Sequence, residues 1–156
     1  MDLRIVEAVI GVNDARPARM VDKIRAAMGG DIAGKTVCLL GLTFKPNTDD
    51  LRESPAMIIL ELMLQAGATV RVYDPVAMPI VSGNPQQNVV YCSDEFEAAE
   101  GADALVLATE WRAFRTPDFK RLREIMRGTA LFDGRNQWNP EVVRELGFNY
   151  YGIGRR

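Results

Sequence analysis

Three cations in this sequence, Lys45, Arg52 and Arg135, are suited to hold an anionic ligand, and they come from two stretches. Phe44, Lys45 and Arg52 lie in G-L-T-F-K-P-N-T-D-D-L-R-E-S-P, residues 41–55, and Arg135 lies in F-D-G-R-N, residues 132–136. Lysine is a mobile point charge and arginine a planar fork, the two kinds of donor that phosphate groups attract. The chemistry expected is therefore binding and charge neutralisation of a diphosphate, first assigned to Lys45 and Arg52. For each cation taken singly, the alternative is a solvated loop charge. Asp49 and Asp50 look like paired carboxylates, but shaping the loop or pairing with Arg52 accounts for them more simply. Asp74 stands where a ribose-binding acid would stand, yet an Asp before Pro75 is also a turn former. Trp111 and Phe114 read as core or rim packing rather than a base-stacking platform.

Other chemistries drop out early. The chain of 156 residues has no histidine, which removes Ser-His-Asp and Cys-His catalysis and most transition-metal sites. Its two cysteines, Cys38 and Cys92, are far apart with no CxxC spacing. Cys38 falls inside a strand pattern and reads as a small buried hydrophobe. No disulfide framework is implied, so a reducing, cytoplasmic compartment is expected. A formal charge of −2 without a Lys/Arg run argues against nucleic acid as a partner. No apolar stretch reaches membrane length, so no membrane partner is expected.

These side chains need a scaffold that brings residues 44–52 and 135 to one place. Apolar runs at 36–42, 69–73, 89–91, 104–108, 129–132 and 148–151 read as strands. Helices are expected at 55–66, from Ser93 to about Glu100, from Thr116–Pro117 to Arg127, and from Asn139–Pro140 to Gly147. Three of these start on a cap residue followed by Pro, and Gly punctuates their ends. Residues 75–88, with Pro75, Pro79, Gly83, Asn84 and Pro85, read as a loop. Residues 3–28 form a leading amphipathic helix that Pro17 should kink or restart. It is either packed on its own sheet or an assembly surface.

Strands alternating with helices imply a Rossmann-like, doubly wound, mostly parallel α/β sheet of five to six strands, preceded by a long kinked helix. In such sheets ligands bind at the carboxyl ends of the strands, where all four site residues fall. The fingerprint of a dinucleotide turn is absent: the loop after the first strand reads G-L-T-F-K-P-N, not G-x-G-x-x-G.

The 41–55 motif, with V-Y-D-P at 72–75, A-T-E-W at 108–111 and F-D-G-R-N at 132–136, closely resembles the UDP-glucose/GDP-mannose dehydrogenase family, over nearly the whole chain. The resemblance implies the C-terminal, UDP-sugar-binding domain at residues 31–156, with residues 1–30 as the end of a central helix through which members form homodimers. Such enzymes oxidise UDP-glucose to UDP-glucuronate with two NAD+ and feed polysaccharide biosynthesis. By resemblance, Phe44, Lys45 and Arg135 contact the UDP-sugar, and Arg52 reaches NAD across a domain interface, which moves Arg52 off the diphosphate. The family's NAD-binding domain and active-site cysteine belong upstream of residue 1, so the chain alone is expected to be inactive. The alternatives are a dehydrogenase for UDP-N-acetylmannosamine or GDP-mannose, a non-catalytic nucleotide-binding module, or an assembly domain.

Overall fold

A computed structural model describes residues 4–154. Six strands, β1 (Thr36–Leu40), β2 (Thr69–Tyr73), β3 (Val89–Tyr91), β4 (Ala104–Leu107), β5 (Ala130–Asp133) and β6 (Asn149–Gly152), form one sheet in the order β3-β2-β1-β4-β5-β6. Every neighbouring pair is parallel. This is the doubly wound order, and the chain reverses direction of travel across the sheet between β1 and β4.

The central strands are buried on both faces, which explains their unbroken apolar runs. Alternate residues serve opposite layers. Val37, Leu39, Val106 and Phe132 join one core, under α1 (Arg4–Ala27) and α2 (Pro55–Gln65). Cys38, Leu40, Leu105 and Leu131 join the other, with residues of α4 (Glu95–Ala99), α5 (Phe119–Ile125) and α6 (Pro140–Glu145). Each fully buried Leu or Val contributes about 1.5–3 kcal/mol relative to exposure, so these two layers supply most of the driving force.

The boundaries expected from sequence hold to within one or two residues for all six strands and for α2, whose exposed stripe is Glu61 and Gln65, joined by Ile58. Four details differ. The stretch 75–88 contains a short helix, α3 (Met78–Ser82), because Pro79 sits in its first turn, where a missing N–H is harmless. Asp94, not Ser93, caps α4, accepting from the Glu97 amide at 2.7 Å, while the Ser93 hydroxyl donates to the Glu97 carboxylate. Asp118, not Thr116, caps α5, and a 3₁₀ turn at Arg112–Phe114 precedes it. The leading helix runs as one element through Pro17 and does not restart.

That helix has two unlike halves. Pro17 is buried, Met20, Val21 and Ile24 join the first core, and the Lys23 ammonium donates to the Gly152 carbonyl at the end of β6. Ile5, Val6, Val9, Ile10 and Val12 are exposed.

Gly41 leaves β1 at φ +84, and a Cβ there would lie 2.6 Å from Thr109 Cβ and 2.7 Å from its amide nitrogen. Gly34 has φ +73 but open space around it. Gly34→Ala should therefore carry only the left-handed backbone cost, about 1–2 kcal/mol. Gly41→Ala adds a clash with backbone and should lose about 2–5 kcal/mol. Urea unfolding of both variants checks this; equal losses would mean that the Gly41–Thr109 contact yields freely.

Candidate functional site

The strand ends are level. Leu40 pairs with Tyr73 on one side and Leu107 on the other, and Leu107 pairs with Asp133. The loops that carry Lys45, Asp74, Glu110 and Arg135 therefore leave the sheet side by side, about 4.8 Å apart. Between β1 and β4 a doubly wound sheet usually opens a crevice. Here the Gly41–Thr109 contact closes it, and the Thr109 hydroxyl donates to the Thr43 carbonyl at 2.6 Å.

The loop after β1 is held by its backbone. The Leu42 amide donates to Asp74 Oδ2 at 2.8 Å, and the Thr43 amide does so at 3.2 Å. The Leu42 carbonyl accepts from the Ser54 hydroxyl at 2.6 Å. The Phe44 amide donates to the Asp50 carbonyl at 2.9 Å, and the Thr43 hydroxyl reaches the Lys45 carbonyl at 3.0 Å. Trp111 Nε1 is shared between Asp74 Oδ2 at 3.1 Å and Thr43 Oγ1 at 3.2 Å. Asp74 Oδ1 accepts from the Val76 and Ala77 amides, both at 2.9 Å. So Asp74 forms the turn expected before Pro75 and also ties it to the β1 loop. The Phe44 and Lys45 side chains, by contrast, are exposed.

The Arg135 loop is built the same way. Asp133 is buried; Oδ1 accepts from the Arg135 amide at 3.1 Å, and Oδ2 from the Trp138 amide at 2.8 Å and the Tyr150 hydroxyl at 2.9 Å. Asn136 binds both the amide and the carbonyl of Ile153, at 2.9 Å each. The Arg135 side chain, 40% exposed, forms a bidentate pair with Glu110, with Nε 2.5 Å from Oε2 and Nη2 3.1 Å from Oε1. Among the described residues, the buried polar and charged side chains are Thr43, Ser54, Asp74, Thr109 and Asp133. Each of them braces a loop that carries Phe44, Lys45 or Arg135: Thr43, Asp74, Thr109 and Asp133 lie at or just past strand ends, and Ser54 directly precedes α2.

Residues 38–140 match the family model of the UDP-glucose/GDP-mannose dehydrogenase family, UDP-binding domain. The chain belongs to this family. It is 45% identical over 158 residues to a UDP-glucose 6-dehydrogenase of Rhizobium meliloti, covering 98% of this chain and 35% of that protein. Its fold superposes on a UDP-glucose dehydrogenase from the archaeon Pyrobaculum islandicum with TM-score 0.82 and 31% identity, covering the whole chain and 33% of that one. A UDP-D-ManNAc dehydrogenase from Pyrococcus horikoshii gives TM-score 0.79 at 28% identity, over 99% of this chain and 34% of its own. The chain thus spans about a third of the length of these relatives.

Within this family domain Arg52 is placed apart from the braced loop segment. It is 89% exposed and pairs with Asp50 through Nε and Nη2, both at 3.0 Å, as expected from sequence. It lines an open depression with Thr48, Asp49, Leu51 and Ile80 of α3. The Arg52 hydrogen bonds hold the Asp50 carboxyl down at about 2. Trp111 and Phe114 are buried, so the packing assignment holds. Ser54 precedes Pro55 as expected but makes no side-chain cap; its hydroxyl goes to Leu42 instead. Thr43, Thr109 and Glu110 fall within the motifs quoted from sequence, but none of them was given a role there. The available signal was polar residues directly after apolar runs at several strand ends. Burial pushes the Cys38 thiol well above its usual value, with Cys92 and Glu95 adding to it, and burial raises Cys92. Neither is poised as a nucleophile. Among the described residues no cluster of three acidic or cysteine side chains could hold a metal, and no helix is long and apolar enough to cross a membrane.

Partial burial pushes the Glu110 carboxyl up, but hydrogen bonding to Arg135 and the charges of Arg135 and Arg115 outweigh it, so its pKa falls below the ordinary 4.5. A folded-state pKa below the unfolded one adds stability that is present above the unfolded value and lost as pH falls through the folded one. Urea unfolding between about pH 5 and pH 3 should show a slope that Glu110→Gln flattens. An unchanged slope would mean the pair carries no net stabilisation.

Proposed function

We propose that this chain is the UDP-sugar-binding wall of a longer NAD-dependent UDP-glucose 6-dehydrogenase, which oxidises UDP-glucose to UDP-glucuronate. The supporting observation is that the five buried polar side chains among the described residues either lie in the loops presenting Phe44, Lys45 and Arg135 or hydrogen-bond to them, in a domain of this family. Lys45 and Arg135 neutralise the diphosphate and Phe44 packs against the nucleotide sugar; this chain positions and the rest of the protein performs the redox chemistry.

The residues present do not fit a dinucleotide turn of their own. The Gly41–Thr109 contact fills the crevice where a pyrophosphate would enter. NAD, the hydride acceptor, is assigned to a preceding NAD-binding domain, with Arg52 as the single contact from this chain. The exposed apolar half of α1 is assigned to a homodimer interface, as the end of a central helix distinct from the UDP-binding domain that starts near residue 31. The enzyme is assigned to the cytoplasm, where the two buried free cysteines, Cys38 and Cys92, suit a reducing compartment.

Similarity to a UDP-D-ManNAc dehydrogenase makes that sugar nucleotide the second reading, weaker because the identity is 28% against 45%. Steady-state kinetics of the full-length enzyme test both, with UDP-glucose and UDP-N-acetylmannosamine as substrates. Lys45→Ala and Arg135→Ala should each raise KM for UDP-glucose about 10- to 100-fold, the loss of one charge-assisted contact. Arg52→Ala should raise KM for NAD more than KM for the sugar nucleotide. Equal effects of the Lys45 and Arg52 variants on both ligands would refute the assignment.

A further inference from the structure

We infer that Thr109, Glu110 and Trp111 are positioning residues: a three-residue brace that sets the spacing between the Lys45 loop and the Arg135 guanidinium. The inference rests on the proposed function and assigns roles to side chains that touch no ligand in it. The brace leaves β4, which lies between β1 and β5 in the sheet. Its residues face alternately. Thr109 and Trp111 are buried and turn toward the β1 loop, where one holds the Thr43 carbonyl and the other holds Thr43 Oγ1 and Asp74. Glu110, between them, turns to β5 and grips Arg135 at two nitrogens.

Both loops are thereby referenced to one rigid stub. The two strands that launch them lie two spacings apart, about 10 Å. A diphosphate is bridged by both cations only if that separation is reproduced, and a misplacement of about 1 Å can cost on the order of 100-fold. The guanidinium has five N–H donors, so it can give one edge to Glu110 and keep others for an anion. The Glu110 carboxylate fixes which edge is turned outward, as a second residue does for a catalytic imidazole or metal ligand.

A purely structural role for the brace would affect melting temperature without distinguishing ligands. Thr109→Val keeps the shape and removes the hydroxyl; Thr109→Ser keeps the hydroxyl. In the full-length enzyme, Thr109→Val should raise KM for UDP-glucose about tenfold, leave KM for NAD within about twofold, and be rescued by Thr109→Ser. In the Thr109→Val background the further penalty of Lys45→Ala should shrink, because a displaced lysine has less contact to lose. Glu110→Gln, at a partly buried position, should raise KM for UDP-glucose by a similar factor and carries the test alone if Thr109→Val does not fold. The brace is refuted if Thr109→Val and Glu110→Gln change only the melting temperature, if they raise both KM values equally, or if Glu110→Gln lowers KM for UDP-glucose. If instead Lys45→Ala and Arg135→Ala are themselves silent, the proposed function fails first. If those two raise KM and the brace variants do not, only the brace fails.

Discussion

Five N–H groups from three loops converge on the Asp74 carboxylate, and the ligand end of the molecule depends on that convergence. Removing a carboxylate from water costs several kcal/mol, and only a full set of donors offsets it. The donors here are Leu42, Thr43, Val76, Ala77 and Trp111, so the loops after β1, β2 and β4 cannot move independently without leaving the carboxylate underbonded. Asp133 repeats the arrangement between the β5 loop and β6. No buried side-chain nitrogen or oxygen among the described residues lacks a partner, so the polar cluster specifies one geometry instead of storing strain.

The molecule therefore divides its work by position. The body of the sheet is apolar on both faces and supplies stability. The strand ends are polar and supply geometry. The closed contact at Gly41 separates this domain from the dinucleotide binders whose strand order it shares. There, glycines let a backbone approach a pyrophosphate; here, Gly41 lets the backbone approach Thr109. The same topology thus presents side chains outward where a dinucleotide fold presents amides inward.

Much of this was readable beforehand. Unbroken apolar runs mark the central strands, because parallel strands covered on both sides need no polar face. The Asn139–Pro140 start of α6 was legible since capping is local: Asn139 accepts from the amides of Glu141 and Val142. The errors were also local signals overridden by distant partners. Ser54 precedes a proline as a cap should, but Leu42, twelve residues earlier, takes its hydroxyl. Pro75 and Pro79 look like breakers, yet Asp74 organises the turn that lets α3 begin. Thr43 and Thr109 fall within the 41–55 and 108–111 motifs, but nothing in their local spacing pairs them with each other. Their partners lie 66 residues apart in the chain.

What the sequence decided by itself is the alternation of elements, the absence of histidine chemistry and the clustering of cations after strands, because hydrophobic period, residue inventory and capping act over a few positions. What only the tertiary structure decided is which polar side chains are buried, that the β1–β4 crevice is closed, and that Glu110 holds Arg135. Those depend on strand order and register: β1 and β5 are brought to either side of β4 by crossovers, and hydrogen bonds across that distance leave no trace in local spacing.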